Sequence, residues 1–261
     1  AGVVLNMVAG KRHLSVAKKA IEEETGIPVL GTIPKLGNSS VFPSRHLGLI
    51  TPGEYGPAME SIGKTAEAVE EYLDIDRIIE IANSAADLPL AKIGLPKQDK
   101  NVRIGYFRDK AFSFYYPENL EALENRGAEL IPVSSFEDKS LPDIDGLYIG
   151  GGFPESNIDE IVNNSELMAS VKEKAEEGLP IYAECGGLMY LCDFIILDDK
   201  KYPLAGVFKT GLEMRKKPQG HGYTEAEVID GNPIYKTGTI LKGHEFHYSF
   251  ISQNGDKQDY S

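Results

Sequence analysis

Four short apolar runs in the second half of the chain, Val102–Phe107, Ala128–Val133, Gly146–Ile149 and Leu179–Ala183, are separated by stretches of helical pattern or by loops. Runs of that length are strands, and Leu179–Ala183, apolar throughout, reads as one that is buried. A strand–helix–strand order at this spacing joins parallel neighbours. The helix over Pro117–Arg126 is closed by Gly127, and the helical pattern over Ile158–Glu177 breaks near Asn164. From Ile196 onward the pattern is short strands and turns. An earlier unit of the same kind opens the chain: buried strands at Val3–Val8 and Ile27–Ile33 flank a helix, His13–Glu24, that stops at Gly26 before Pro28. The fold class is therefore α/β. A loop over Gly37–Tyr55, helices near Glu60–Tyr72 and Ile75–Ala85, and a polar stretch with Pro89 and Pro96 complete the first half. The expected division is a first domain over 1–85, a linker over 86–100 and a second domain over 101–261. The chain begins on a strand already under way at Ala1, so the first domain is expected to be the back end of a larger one.

Composition narrows the function. Among 261 residues, 40 acidic against 27 basic ones give a net charge of −13. No basic stripe is present, which argues against nucleic acid as a partner. No apolar stretch approaches the roughly 20 residues of a membrane span, and no secretory signal opens the chain. The two cysteines, Cys185 and Cys192, build neither a disulfide framework nor a four-thiolate zinc site. The expectation is a cytoplasmic protein acting on small molecules.

The sharpest local signal is Leu179-Pro180-Ile181-Tyr182-Ala183-Glu184-Cys185-Gly186-Gly187-Leu188. An apolar strand ends in a nucleophile-capable residue, two glycines permit a tight turn, and a helix follows: the thiol form of a nucleophile elbow. The helix N-terminus is expected to lower the thiol pKa and to offer backbone N–H groups to an oxyanion. The alternative is a buried structural cysteine. A second strand runs into Gly150-Gly151-Gly152, a turn able to supply another N–H beside that of Gly186. Near the C-terminus lies Gly243-His244-Glu245-Phe246-His247-Tyr248-Ser249. With strand periodicity, His244 and Phe246 share one face while Glu245 and His247 share the other, so a common metal site is not expected. Either histidine is a candidate base for Cys185, at about hydrogen-bonding reach of the thiol.

With these residues together, the chain resembles the cobyrinic acid a,c-diamide synthase family, which covers cobyrinate, hydrogenobyrinate and nickel-sirohydrochlorin enzymes of cobalamin and coenzyme F430 biosynthesis. The resemblance rests on Arg108-Asp109-Lys110-Ala111-Phe112-Ser113-Phe114-Tyr115-Tyr116-Pro117-Glu118-Asn119-Leu120, on Leu147–Gly152, on Pro180–Leu191, on Gly243–Ser249 and, in the first half, on Arg45-His46-Leu47-Gly48-Leu49. It implies a flavodoxin-like, class I-type glutaminase domain preceded by the C-terminal part of a P-loop-type α/β synthetase domain. Carried over, Cys185 is the nucleophile that forms a glutamyl thioester and releases ammonia from L-glutamine. His247 is the base, matching the histidine of a Tyr-Glu-Ile-His motif in related cobyric acid synthases. Gly186 and Gly151 form the oxyanion hole. Common class I glutaminases place a Glu two residues after the catalytic His; here that position is Ser249, and Glu245 is the candidate orienter.

The resemblance further implies ATP and Mg²⁺ for activating tetrapyrrole carboxylates in the intact enzyme, no cofactor for the glutaminase step, and a homodimer as a permitted assembly. The family's phosphate loop is expected ahead of Ala1. Two rival readings are a cobyric acid synthase-like amidotransferase and a non-catalytic α/β binding module.

Other features receive blander assignments. Ala58–Thr65 fits a relaxed phosphate-loop pattern but follows a turn and carries helix formers, so a helix is expected. Cys192 is assigned to the core, His13 and His221 to surface or packing, and Arg45 and His46 receive no catalytic role. The aromatic run Phe112–Tyr116 lines either a contact between the domains or local packing.

Overall fold

The computed structural model describes residues 1–35, 44–45, 48–49, 55–87, 99–232 and 234–252. The chain divides into two compact units, Ala1–Ile93 and Gly94–Ser261. Most of the expected linker and of the expected loop after Gly37 lies outside the described residues, as does His46.

In the first unit, β1 (Val3–Val8), α1 (Lys11–Thr25) and β2 (Val29–Pro34) form the expected crossover, with the two strands parallel. Gly26 ends α1 at φ 66°, and its N–H bonds to the Glu22 carbonyl. Burial departs from expectation. Only Val8 in β1 and Leu30 in β2 are buried among the residues of these two strands. The pairs β3 (Ser44–Arg45) and β4 (Gly48–Leu49) are short, followed by α2 (Ala58–Tyr72) and α3 (Ile75–Asn83). Asp74 caps α3 by accepting the Arg77 N–H at 3.0 Å. The octet Ala58–Thr65 lies within α2, so its glycine and lysine are helical residues.

The second unit contains β5 (Val102–Phe107), β6 (Phe112–Phe114), α4 (Pro117–Asn125), β7 (Ala128–Val133), β8 (Gly146–Ile149), β9 (Gly151–Gly152), α5 (Ile158–Asn163), α6 (Ser165–Glu176), β10 (Ile181–Ala183) and α7 (Gly186–Leu191). β10, β8, β5 and β7 lie side by side in that order, all parallel. α4 carries the chain outward from β5 to β7, whereas α5 and α6 carry it the opposite way, from β8 to β10. Right-handed crossovers place those helices on opposite faces. The direction reverses between β5 and β8, and such a reversal opens a crevice at the strands' carboxyl ends. This is the flavodoxin-like arrangement expected from the sequence.

Beyond it, β11 (Phe194–Leu197), β12 (Lys200–Pro203), β13 (Gly211–Met214), β14 (Gly220–Glu227), β15 (Ile240–His247) and β16 (Ser249–Ser252) form the all-β end. β12, β11, β13 and β16 make one sheet, and β14 pairs with β15 as a separate ribbon. Asp198 and Asp199, at φ 46° and 63°, close the β11–β12 hairpin with the left-handed pair such turns require. Among the described residues no helix is long and apolar enough to cross a membrane.

The core lies between the parallel sheet and α5, α6 and α7. Phe107, Phe112 and Tyr190 meet edge to face at centroid distances of 5.1–5.7 Å. Each of the two phenylalanines, fully buried, stabilises the unit by about 1.5–3 kcal/mol over its exposed state. Cys192 joins this core at 1% exposure, as expected. The helical break falls on Asn164, at φ −102° and ψ 54°, and its cause is visible. The buried side-chain amide donates to the carbonyls of Ser135 and Asp138 at 3.0 and 2.8 Å, tying the loop after β7 to the α5–α6 junction. Asn164→Ala leaves both acceptors without their donor. We expect it to lower stability in urea unfolding by about 2–4 kcal/mol, while Asn163→Ala at the exposed neighbour stays within about 0.5 kcal/mol.

Candidate active site at the strand-to-helix elbow

β10 ends at Ala183, and the chain reverses into α7 through Glu184 and Cys185. Cys185 has φ 48° and ψ −107°, a left-handed conformation that a side chain resists at a cost of about 1–3 kcal/mol. The turn is held by its neighbours: the Glu184 N–H donates to the Ile149 carbonyl at 2.9 Å, and the Gly187 N–H to the Glu184 carbonyl at 2.8 Å. A Cβ on Gly187 would overlap the Ile149 carbonyl, and one on Gly186 would sit 2.9 Å from Pro154 Cδ and 3.1 Å from the Gly152 nitrogen. Both glycines of the elbow are required by close approach, not by their own φ.

Gly151 faces the elbow. A Cβ built there lies 3.7 Å from the Cys185 Cβ, so the glycine turn and the cysteine are neighbours across the site. That turn is more structured than a plain strand-to-helix connection, since Gly151–Gly152 pairs with Phe112–Phe114 as the β6–β9 ribbon. The Gly186 N–H lies close enough to the Cys185 sulfur to favour its thiolate. The structure thus gathers Cys185, Gly186 and Gly151 in one place.

The thiol reaches solvent, yet its pKa lies above the ordinary value. Partial burial in the packed turn is the main cause, and the carboxylates of Glu155 and Glu184 add to it, against the Gly186 N–H. This corrects the expectation of a lowered pKa. α7 is six residues long, and its single N–H near the sulfur does not offset lost hydration and two nearby negative charges. Cys192, its Sγ 3.4 Å from the Leu188 carbonyl, is pushed up by burial to about 12.

His247 ends β15 and shares a face with Glu245, as periodicity required: a Cβ on Gly220, its partner on β14, would overlap His247 Nε2 and lie 2.6 Å from Glu245 Oε1. The ring's own hydrogen bond is Nδ1 to the Ser249 carbonyl, 2.8 Å. That bond makes Nδ1 the protonated nitrogen and leaves Nε2 as the basic one. The orienting contact thus comes from the main chain of Ser249, not from Glu245; a carbonyl is common to every residue and leaves no mark in a sequence. His244 points to the opposite face, among His221, Tyr223 and Phe246. Among the described residues no hydrogen bond joins Cys185 to His247, and His247 is not among the groups that act on the thiol. The elbow belongs to the parallel sheet and the histidine to the β14–β15 ribbon. Nor do Cys185 and His247 line the cavity of about 590 Å³ between α4 and the sheet, whose walls include Leu123, Tyr148, Tyr182, Glu184 and Tyr235.

The aromatic run divides between roles. Phe112 is in the core, Tyr115 packs on Tyr106 and Tyr148, and Phe114 and Tyr116 are 47% and 74% exposed.

A strained thiol on an elbow at the crevice of a flavodoxin-like sheet, flanked by a glycine turn, is the arrangement that the sequence motif predicts for a nucleophile elbow. The profile of the CobB/CobQ-like glutamine amidotransferase domain matches residues 103–260, and the chain belongs to that family. The resemblance read from the motifs also holds. The chain is 41% identical, over 97% of its length and 57% of the relative's, to a cobyrinate a,c-diamide synthase of Caldanaerobacter subterraneus subsp. tengcongensis. It is 41% identical, over 96% of its length and 55% of the relative's, to one of Methanothermobacter thermautotrophicus. It therefore spans little more than half the length of these relatives. Among solved structures, PurLQS from Thermotoga maritima superposes with a TM-score of 0.40 at 16% identity, over 57% of this chain and 67% of that one.

Two outcomes test the thiol environment. Iodoacetamide should alkylate Cys185 in the native protein and leave Cys192 intact, the rate climbing into the alkaline range as the raised thiol ionises. Glu184→Gln removes a neighbouring negative charge and should move that rate profile to lower pH; peptide mass spectrometry across a pH series reads both.

Proposed function

We propose that this chain carries out the glutaminase step of an a,c-diamide synthase. Ammonia released from L-glutamine would serve the ATP-driven amidation of the a- and c-acetate carboxylates of a tetrapyrrole, cobyrinate or nickel-sirohydrochlorin. The observation that supports this most is the elbow: Cys185, held at positive φ, lies beside the Gly186 N–H and faces Gly151.

In this reading the Cys185 sulfur attacks the side-chain amide carbon of glutamine. The carbonyl π pair moves onto oxygen, toward the backbone N–H groups of Gly186 and Gly151. Collapse expels the amide nitrogen, protonated to ammonia, and leaves a glutamyl thioester. Water then cleaves the thioester to glutamate and free thiol. Because the thiol pKa is raised, little thiolate exists at neutral pH and a base must take the proton. His247 is assigned that role on the tautomer set by Ser249. The assignment requires Nε2 to reach the sulfur, a contact the structure does not contain. That missing contact is the observation favouring the rival reading, a non-catalytic α/β module.

ATP and Mg²⁺ belong to the amidation half. The octet with phosphate-loop spacing, Ala58–Thr65, is helical, so it offers a nucleotide no cradle, and no step above runs through one.

Incubation with glutamine should release glutamate and ammonia, Cys185→Ala should abolish the release, and a glutamine-derived chloroketone should modify Cys185 alone. His247→Asn should reduce turnover about 100-fold or more if His247 is the base, with His244→Asn near wild type. Equal activity of His247→Asn and wild type would remove His247 from the mechanism, and an inert Cys185 in the wild-type chain would favour the binding module.

A further inference from the structure

We propose that Tyr115 is a positioning residue for the glycine turn that faces Cys185, its hydroxyl clamping that turn to the end of β5. This rests on the reading of Cys185 as the nucleophile. The Tyr115 hydroxyl donates to the Phe107 carbonyl at 2.5 Å and accepts the Gly150 N–H at 2.9 Å. One side chain thus joins the last residue of β5 to the residue that follows β8, across the point where the sheet order reverses. The next residue, Gly151, is the one whose Cβ position lies 3.7 Å from the Cys185 Cβ.

The ring is placed as firmly as the hydroxyl. Tyr148 and Tyr106 meet it edge to face at 5.0 and 5.7 Å. A Cβ on Gly150 would lie 2.7 Å from ring atoms Cε1 and Cζ, so the ring occupies the space a side chain there would need. The segment leading to Tyr115 is itself anchored: Asp109 accepts the N–H groups of Ala111 and Phe112 at 2.9 and 3.1 Å, and that of Ser135 at 2.6 Å. Burial raises the phenol pKa well above its ordinary value, so the hydroxyl keeps the proton it donates.

The consequence concerns the oxyanion and not the thiol. An N–H aimed at a developing charge contributes only if it is held in place beforehand, and removing such a donor outright costs about 100- to 1000-fold in turnover. Releasing Gly150 loosens the turn without deleting a donor, so a smaller loss, about 10- to 100-fold, is expected.

The experiment is Tyr115→Phe in the full chain, with Tyr106→Phe as the control that alters a neighbouring ring of the same cluster. Three readouts are taken: amide hydrogen exchange at Gly150 and Gly151, kcat and KM for glutamine hydrolysis, and the rate of alkylation of Cys185 by iodoacetamide, which forms no oxyanion. In Tyr115→Phe, exchange at Gly150 should accelerate and kcat should fall about 10- to 100-fold. KM and the alkylation rate should stay within about twofold, since neither uses the oxyanion donors. Tyr106→Phe should change none of them. Unchanged exchange at Gly150 would overturn the clamp, and faster exchange with unchanged kcat would overturn its positioning role. Parallel losses in kcat and in alkylation, together with a large fall in Tm, would show a purely structural residue and also overturn it. A wild-type chain that hydrolyses no glutamine would instead sink the reading of the site, and the catalytic consequence with it, while exchange at Gly150 still decides the clamp.

Discussion

The backbone of Gly187 lies against the carbonyl of Ile149 so closely that no side chain fits between them, and the second unit is organised around that contact. It seats the start of α7 on the end of β8, and in doing so it forces the preceding residue, Cys185, into a left-handed conformation. The strain is sustained because hydrogen bonds on both sides of the cysteine leave the chain no other route: Glu184 is tied to Ile149, and Gly187 to Glu184. The same packing brings the Gly150–Gly152 turn across from the thiol. The close glycine contact, the strained residue and the facing turn are thus one arrangement.

The electrostatics of the elbow run against a simple helix-dipole picture. A helix of six residues presents few aligned peptide units, while Glu155 and Glu184 bring full charges near the sulfur. The resting site therefore stabilises a protonated thiol and discourages adventitious oxidation, which proceeds through the thiolate. Activation of such a site has to come with the substrate or with a base, not from the ground-state field.

Much of this was legible in the residues. The runs at Val102–Phe107, Ala128–Val133 and Gly146–Ile149 are strands with those same limits, because a polar residue or a glycine stands on each side of every run. The helix Pro117–Asn125 follows from equally local signals, whereas the break at Asn164 is held by the carbonyls of Ser135 and Asp138, which are distant in the chain. The elbow was readable because strand, nucleophile and paired glycines adjoin in sequence. What could not be read depends on neighbours distant in the chain or on the main chain itself. Burial at β1 and β2 depends on what packs on the two faces of their sheet. The tautomer of His247 is set by a carbonyl, which every residue has. The sign of the thiol shift depends on how tightly the turn packs, a property no motif records. Tyr115 stood in view within an aromatic run, but its hydroxyl gains a role only when β5 and β8 become neighbours.

The way β16 joins its sheet carries a consequence for the order of assembly. β16 pairs with β13, Met214 opposite Ser249, and the whole chain from Arg215 to Tyr248 lies between them. Closing so long a segment directly is entropically costly and slow. The β14–β15 ribbon shortens it: once Gly220 stands opposite His247, the ends of the segment are already close, and only a short span remains to be closed. The hairpin should therefore form before β16 docks, so that the ribbon ending in His247 is in place before Ser249 comes to lie opposite Met214.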